Sequence, residues 1–318
     1  MIITTLRRIA PVLALGFAIS VSACAYDSPT EPSPHPSTET TYDLLYEQMP
    51  ANSSTPKLVV RDEDSGQIRD LFDRLTPGGQ PSVSADGQRV VFVAASTTPD
   101  AYDYQDIFFV TRNASPRRIT LTDGPEFAPA ISPNGQRIAF IRLTETGNTQ
   151  LYLADIDGRN EMAVMLALAP SLTYGYNTPA WSPDGSRLLF SAGDPGRQHL
   201  HIINANGTGL RQLTDTTVSD IDGTWSPDGQ TVAFVRTTSL SQSQLMIRHL
   251  TTGAERSFGF AWRNRQPAWS PDGQRIAFVS NMTDNQDLEL YTVRPDGTQL
   301  TRLTDDTHRQ QSPRWIAR

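Results

Sequence analysis

The sequence predicts an all-β fold, a six-bladed β-propeller of four-stranded antiparallel blades that is closed by exchange of N- and C-terminal strands. Three observations predict it. A short motif recurs at intervals of 44 to 50 residues, which is the size of one propeller blade. Each interval contains short apolar segments separated by turn-forming residues. The 318 residues include 21 Gly and 23 Pro, a composition that disfavours a long helical protein.

The recurring motif is Trp-Ser-Pro-Asp-Gly or a variant of it. Its Ser, Pro and Gly occupy the first, second and fourth positions of a type I turn, which are positions that favour these residues. Each copy therefore predicts a tight turn between two strands. An aliphatic residue replaces the Trp in the first two copies, and the last copy contains only the strand before the turn. The copies are Val83–Gly87, Ile131–Gly135, Trp181–Gly185, Trp225–Gly229, Trp269–Gly273 and Ser312–Trp315.

Three further strands are predicted in each repeat. The strand after the turn is apolar on both faces, as in Arg137–Ile141 and Thr231–Val235, which indicates a strand covered by neighbouring sheets. A third strand such as Leu151–Leu153 precedes a hairpin signal such as Asp157–Gly158. The fourth strand often ends in Leu-Thr. Examples of this ending are Leu75–Thr76, Leu121–Thr122, Leu213–Thr214 and Leu303–Thr304.

The two ends of the chain together supply the sixth blade. The last repeat offers one strand, around Arg314–Ile316, and the residues before the first motif offer three, Tyr42–Tyr46, Leu58–Arg61 and Gln67–Leu71. The 277 residues from 42 to 318 divide into six repeats of about 46, which agrees with the spacing of the motif. We therefore predict closure by three N-terminal strands and one C-terminal strand.

The first 23 residues have the pattern of a secretory signal peptide, with Arg7 and Arg8 before an apolar run, Ile9–Ile19, that is too short to span a bilayer. The segment Val21–Cys24 resembles the lipobox of bacterial lipoproteins, and this resemblance implies that Cys24, the single cysteine, is acylated and becomes the mature N-terminus. The alternative is an ordinary secretory signal with an incidental cysteine.

The residues after Cys24 predict an extended tether and indicate which membrane holds the lipid anchor. Residues 24–41 contain four prolines and almost nothing apolar, so we expect an extended linker to the propeller at 42–318. In Gram-negative lipoproteins an Asp directly after the acylated cysteine signals inner-membrane retention, and Ala25 stands there. The resemblance therefore favours a lipid anchor in the outer membrane.

The repeat Pro-x-Trp-Ser-Pro-Asp-Gly-x-x-Ile-Ala-Phe, with a Leu-Tyr strand and a Leu-Thr end after it, resembles the TolB-type propeller repeat, also called Trp-Asp-like. The resemblance covers residues 42–318 and implies the propeller fold. It is weakly specific for function and does not imply a role in the Tol–Pal system, because TolB has an N-terminal α/β domain where this sequence has the predicted anchor and tether.

Several function classes are disfavoured. A net charge of −7 disfavours binding to nucleic acid. The Gly-x-Ser-x-Gly motif of α/β-hydrolases is absent from the sequence. His199 and His201 share one face of a predicted strand, and a pair of strand residues is the simpler interpretation than a metal site. The sequence accordingly predicts no catalytic residues, no metal and no cofactor.

The candidate binding residues lie in the connections from each Leu-Thr end to the next motif, which meet at one rim of a propeller's channel and do not repeat. Exposed aromatic residues and arginines at a concave opening are typical of protein or glycan contacts. The alternative is that Tyr174, Tyr176 and Trp262 pack between blades. The candidates are Glu126, Phe127, Tyr174, Tyr176, Asp220, Asp222, Trp262, Arg263, Arg265, His308 and Arg309.

Three functional hypotheses follow. The first is a non-catalytic, lipid-anchored platform that binds another protein of the bacterial cell envelope. The second is a protein that binds a carbohydrate or small ligand in the propeller funnel. The third resembles propeller polysaccharide lyases, which depend on a central metal-binding cluster for which this sequence offers no clear equivalent.

Overall fold

The fold is described from a computed structural model. The predicted signal peptide, Cys24 and the tether lie outside the described residues, and so do Leu75–Thr76 and Leu121–Thr122. The described residues are 42–50, 56–71, 79–95, 105–111, 114–120, 124–145, 147–164, 179–194, 196–239, 242–259, 262–282 and 288–317.

Six four-stranded antiparallel sheets form the described part of the chain. The first three strands are β1 (Tyr42–Met49), β2 (Lys57–Arg61) and β3 (Ile68–Asp70). Blade 1 follows with β4 (Gly79–Val83), β5 (Arg89–Ala95), β6 (Gln105–Thr111) and β7 (Arg117–Arg118). Blade 2 contains β8 (Glu126–Ile131), β9 (Arg137–Leu143), β10 (Thr149–Asp155) and β11 (Met162–Ala163).

The remaining blades repeat this order. Blade 3 contains β12 (Ala180–Trp181), β13 (Arg187–Asp194), β14 (Arg197–Asn204) and β15 (Arg211–Gln212). Blade 4 contains β16 (Asp220–Trp225), β17 (Thr231–Thr237), β18 (Ser243–His249) and β19 (Glu255–Ser257). Blade 5 contains β20 (Asn264–Trp269), β21 (Ile276–Ser280), β22 (Glu289–Val293) and β23 (Thr301–Arg302). The last strand, β24 (Arg309–Ala317), pairs with β1 and completes blade 6.

The predicted closure is confirmed. Blade 6 has the strand order β24-β1-β2-β3, with Leu44 opposite Trp315 and Tyr42 opposite Ala317. The first strands of the blades, β4, β8, β12, β16, β20 and β24, which we call the inner strands, each contact the next, and β24 contacts β4. The six-bladed all-β prediction is therefore confirmed.

The core lies between the blades, because the second strand of each blade is covered on both faces. Each of these strands places one large aromatic ring at the same position, and burying such a ring contributes about 1.5–3 kcal/mol. The six fully buried rings are Tyr46, Phe92, Phe140, Phe190, Phe234 and Phe278.

The repeated motif forms the turn that its residues predict. In blade 3 the N–H of Gly185 donates to the carbonyl of Ser182 at 2.8 Å, and Gly185 has a φ of +69°, which favours glycine. The hydroxyl of Ser182 donates to Asp184 Oδ1 at 2.6 Å and accepts the N–H of Arg187 at 2.9 Å. The Ser182 hydroxyl and the Ser186 N–H lower the pKa of Asp184 to about 2. The motif acid thus stabilises the turn.

Candidate functional site at the two ends of the central channel

The inner strands surround a central channel with two different ends. Each inner strand begins after the connection from the preceding blade, and five of the six lead into the Ser-Pro-Asp-Gly turn or its variant. We call the end formed by these turns the turn face. We call the opposite end, where the described connections include residues 262–263 and 306–308, the loop face.

A ring of left-handed residues encircles the channel. Non-glycine residues at one equivalent position of five inner strands have φ between 51° and 56°, at or beside a shift in strand register. Because residues other than glycine adopt this conformation infrequently, five of them at one equivalent position indicate a position held by its surroundings. They are Gln80, Ala128, Asp222, Gln266 and Ser312.

Hydrogen bonds link this ring from blade to blade. The N–H of Ala128 donates to Gln80 Oε1 at 2.5 Å, and the N–H of Ser312 donates to Gln266 Oε1 at 2.9 Å. Asp222 Oδ2 accepts the N–H of Gln266 at 3.0 Å. At the closure, Glu47 of β1 accepts the N–H of Gln80 at 2.7 Å. Asp222 and Glu47 are therefore part of the channel wall, and burial raises the pKa of both carboxyls.

The channel opens toward the turn face into a cavity of about 430 Å³. Four tryptophans line it, and three of them are fixed by the preceding blade. The indole N–H groups of Trp181, Trp225 and Trp315 donate to main-chain carbonyls at 3.0 to 3.1 Å. An arginine lies over the ring of each, between 4.8 and 5.7 Å from its centroid. In the described part of the chain, Nε1 of Trp269 is buried without a hydrogen-bond partner.

The loop face presents Trp262 on a fixed backbone. Its side chain is 42% exposed, whereas its carbonyl accepts the N–H of Ser243 at 2.8 Å and Nδ2 of Asn264 at 3.1 Å. The N–H of the next residue, Arg263, donates to Asn281 Oδ1 at 2.9 Å. Because Trp262 is exposed at the surface, its ring is not packed between blades. Its role in binding a partner stays a prediction.

Three arginines lie close together near Trp262. Burial lowers the pKa of Arg265, and the positive charges of Arg263 and Arg309 lower it further, while Asp222 opposes them. Within the described ranges none of the three side chains has an ion pair within 4.0 Å. Because the protein carries a net charge of −7, this arginine cluster is a local concentration of positive charge on an acidic molecule.

Of the other predicted rim residues, His308 and Phe127 are partly buried, whereas Glu126 and Asp220 are fully buried. His308 is half-buried and its Nδ1 lies 3.0 Å from Asp306 Oδ1. Phe127 is partly buried and packs against a core cluster of blades 2 and 3. Tyr174 and Tyr176 lie outside the residues that the structure describes.

Glu126 and Asp220 are fully buried in ion pairs. Glu126 accepts Nε of Arg142 at 2.9 Å, and Arg142 also pairs with Glu161 at 2.6 Å. Burial lowers the pKa of Arg142, but hydrogen bonds and charges from Glu161 and Glu126 raise it above its usual range. Asp220 is paired with Arg236 in the same way at 2.8 Å. These two acids therefore stabilise blades 2 and 4 and offer no surface to a partner.

The histidine pair has structural contacts. His201 is buried, its Nδ1 lies 2.9 Å from the carbonyl of His199, and its ring stacks on Phe190. Burial lowers the pKa of His201. No group of three His, Cys, Asp or Glu side chains in the described ranges is arranged to hold a metal ion. Likewise, no helix in the described part of the chain is long and apolar enough to cross a membrane.

The structure adds channel residues that the sequence reasoning missed. Glu47, Gln80 and Gln266 belong to the left-handed ring or its closure. Gln80 and Gln266 directly precede the proline of the repeated motif, but the motif does not indicate that they line the channel. Arg314 could have been found, because it occupies the variable position of the Pro-x-Trp motif, where the other Trp-containing copies have Ala180, Thr224 or Ala268.

Comparisons with known proteins agree with the repeat and the fold. No protein-family model matches the chain. A TolB homologue of Chlorobaculum tepidum is 32% identical over 151 residues, which cover 46% of this chain and 30% of that protein. The uncharacterized peptidase YuxL of Bacillus subtilis is 26% identical over 111 residues, 34% of this chain and 16% of that protein. The matched segments thus span less than a third of these relatives.

Solved structures match over most of the propeller. TolB from Acinetobacter baumannii has a TM-score of 0.72 at 19% identity, covering 87% of this chain and 66% of that one. A manganese complex of an oligogalacturonate lyase has a TM-score of 0.55 at 16% identity, covering 82% and 72%. At these identities the structural matches bear on the fold alone. Together with the motif, the comparisons define a six-bladed propeller of TolB-type repeats.

Proposed function

We propose that the protein is a non-catalytic propeller of the bacterial cell envelope that binds another envelope protein through its loop face. The observation that carries the proposal is the cluster of Arg263, Arg265 and Arg309 beside the exposed Trp262. The likeness to TolB-type proteins supports the envelope location. We further propose that a lipid on Cys24 anchors the protein to the outer membrane.

The loop face has the residue types of a hot spot in a protein interface. Trp and Arg are enriched among residues whose truncation costs most binding free energy. The hydrogen bonds that fix the backbone around Trp262 reduce the conformational entropy that binding would otherwise cost. Three arginines without ion pairs attract negative charge. The partner we propose is therefore a protein segment that combines acidic and apolar side chains.

The test compares two double variants of the full chain. We expect Trp262→Ala with Arg263→Ala to reduce recovery of a specific partner from crosslinked envelopes by at least about tenfold, because both hot-spot side chains are lost. The matched control is Arg159→Ala with Met162→Ala, which removes one exposed arginine and one exposed apolar side chain elsewhere on the propeller. Unfolding temperatures establish that both variants fold.

Each outcome bears on the proposal. Equal recovery with the two double variants would refute docking through Trp262 and Arg263. Failure of the wild-type chain to capture any specific protein would refute the docking function as a whole. A Cys24→Ser form tests the anchor separately, since we expect it to leave the membrane fraction and to keep its affinity for a purified partner.

A second candidate function is binding of a carbohydrate or small ligand in the funnel. The observation that favours it is the cavity of about 430 Å³ at the turn face, which has aromatic walls. The match to an oligogalacturonate lyase bears on the fold alone, and we propose no lyase activity. A glycan array probed with the full chain would distinguish this candidate from protein docking.

A further inference from the structure

Six equivalent positions, each one residue before the Trp of the motif or its aliphatic substitute, line the cavity at the turn face. Five of the side chains are small and one is large. Because the inner strands converge on the channel axis, small side chains leave the space that forms the cavity, and the single large side chain stands in that space. The six residues are Ser82, Ala130, Ala180, Thr224, Ala268 and Arg314.

Arg314 is held there without an ion pair. Its Nη1 donates to the carbonyl of Pro313 at 2.8 Å, and no carboxylate oxygen of the described residues lies within 4.0 Å of the guanidinium. Burial lowers the pKa of Arg314, and the charges of Glu47 and Asp222 only partly oppose this effect. Arg314 is only partly buried and lines the cavity, so its guanidinium, which has no ion pair among the described residues, is open to an anionic ligand.

The two acids whose charges act on Arg314 accept hydrogen bonds from other residues. Glu47 accepts the N–H of Gln80, and Asp222 accepts the N–H of Gln266, both as links of the ring around the channel. Burial raises the pKa of both carboxyls, which weakens their competition for the guanidinium. Arg314 is therefore the cation of the cavity wall, and Asp222, the other charged residue among the described lining residues, already accepts the N–H of Gln266.

We propose that this cavity binds a small organic acid whose carboxylate pairs with Arg314. The planar guanidinium matches a carboxylate with two parallel hydrogen bonds. Four tryptophans and six prolines contribute to the surrounding wall, which suits the carbon skeleton of the ligand, and the volume of about 430 Å³ fits a small molecule. The site lies at the opposite end of the channel from the proposed docking surface, and it rests on the second candidate function, for which it specifies the class of ligand.

The experiment pairs three acids with neutral counterparts. The probes are acetate, benzoate and galacturonate, and the counterparts are acetamide, benzamide and galactose. Four of the five tryptophans line the cavity, so binding to the full chain should change the tryptophan fluorescence saturably. We expect at least one acid to bind about tenfold or more tightly than its counterpart, because only the acid forms charge-assisted hydrogen bonds. No preference for any of the three acids, together with no preference for trialanine over its C-terminal amide, would overturn the proposal.

Variants locate the site. Arg314→Ala places alanine where blades 2, 3 and 5 also have alanine. We expect this variant to unfold at the wild-type temperature or above it. We also expect it to lose the preference for the acid. Arg263→Ala at the loop face should retain that preference. If Arg314→Ala fails to fold, Arg314→Lys keeps the charge without the planar fork and should weaken binding. Wild-type affinity in either folded variant would contradict the proposal.

The carboxylate could belong to a free acid or to the end of a peptide. Trialanine and its C-terminal amide distinguish these sources. Binding of trialanine but not of its amide, with no binding of the three acids, would keep Arg314 as the carboxylate site and assign it to a chain terminus. Binding of neither peptide, together with binding of an acid, would assign the site to a free organic acid.

Discussion

The two faces of the propeller differ in how far the repeat controls them. At the turn face the same hydrogen bonds recur in blade after blade, such as the Ser hydroxyl to the motif Asp in blades 3, 4 and 5. At the loop face the described connections differ in sequence, and the contacts that recur join only some of the blades, such as the pairing of Glu126 with Arg142 and of Asp220 with Arg236. The difference teaches that a departure from the repeat is informative at the turn face, where Arg314 stands out against five small counterparts.

At the loop face a polar residue is not by itself a sign of function. The first described residues of β8 and β16 are Glu126 and Asp220, both of which are fully buried and paired with arginine. The equivalent residues of blades 5 and 6, Asn264 and Gln310, are also buried but uncharged. Beside Asn264 lie Trp262 and Arg263, which are exposed. Burial therefore separates the structural residues of this face from those we propose to bind a partner.

The largest effect should come from breaking a buried ion pair behind the loop face. Arg142→Ala leaves Glu126 buried at 0% exposure with no arginine, and we expect a loss of about 3–5 kcal/mol in the free energy of unfolding. Arg159→Ala in the same blade is the control, since the Arg159 side chain is 83% exposed, and its effect should stay below about 0.5 kcal/mol. Urea denaturation measures both. If both variants lost similarly little free energy of unfolding, the ion pair between Glu126 and Arg142 would not stabilise the fold.

A smaller effect should distinguish two tryptophans of the turn face. Trp225→Phe removes an indole hydrogen bond to the carbonyl of Ala180 and the stacking of Arg187, whereas Trp269→Phe removes an N–H that is buried without a partner. We expect the Trp225 variant to be less stable than the Trp269 variant by about 1–2 kcal/mol. Equal unfolding free energies in urea would show that the repeated indole contacts do not stabilise the blades.

The sequence predicted the fold because the features that build it are local and recur. The turn at Trp181–Gly185 and the apolar strand Arg187–Asp194 after it are read from adjacent residues, and their spacing gives the number of blades. The contacts that line the channel could not be predicted in this way, because they join residues of different repeats. Asp222 bonds to Gln266 across 44 positions of the sequence, and no pattern within one repeat predicts that contact.

Two kinds of candidate residue could not be separated from sequence. Acids such as Glu126 and exposed residues such as Trp262 occupy similar connections, and only their burial distinguishes them. The pairing of Glu126 with Arg142 depends on the register of two strands. Arg314 was visible in the sequence as a departure from the motif, but its meaning depends on the cavity that its small counterparts leave.

The smallest expected effect isolates the charge of the motif acid. Asp184→Asn copies the turn of blade 2, where the hydroxyl of Ser132 donates to Asn134 Oδ1 at 2.8 Å, so the geometry should persist without the charge. The pKa of Asp184 in the folded state is about 2, below its usual value of 3.8, so the ionised carboxylate stabilises the protein above about pH 4. This contribution is lost as the pH falls toward 2. Because Asp184 is exposed to solvent, we expect a loss of less than about 1 kcal/mol at pH 7. The free energies of unfolding of wild type and variant should converge between pH 4 and pH 2, and a difference that does not change with pH would show that the repeat selects Asp for its shape.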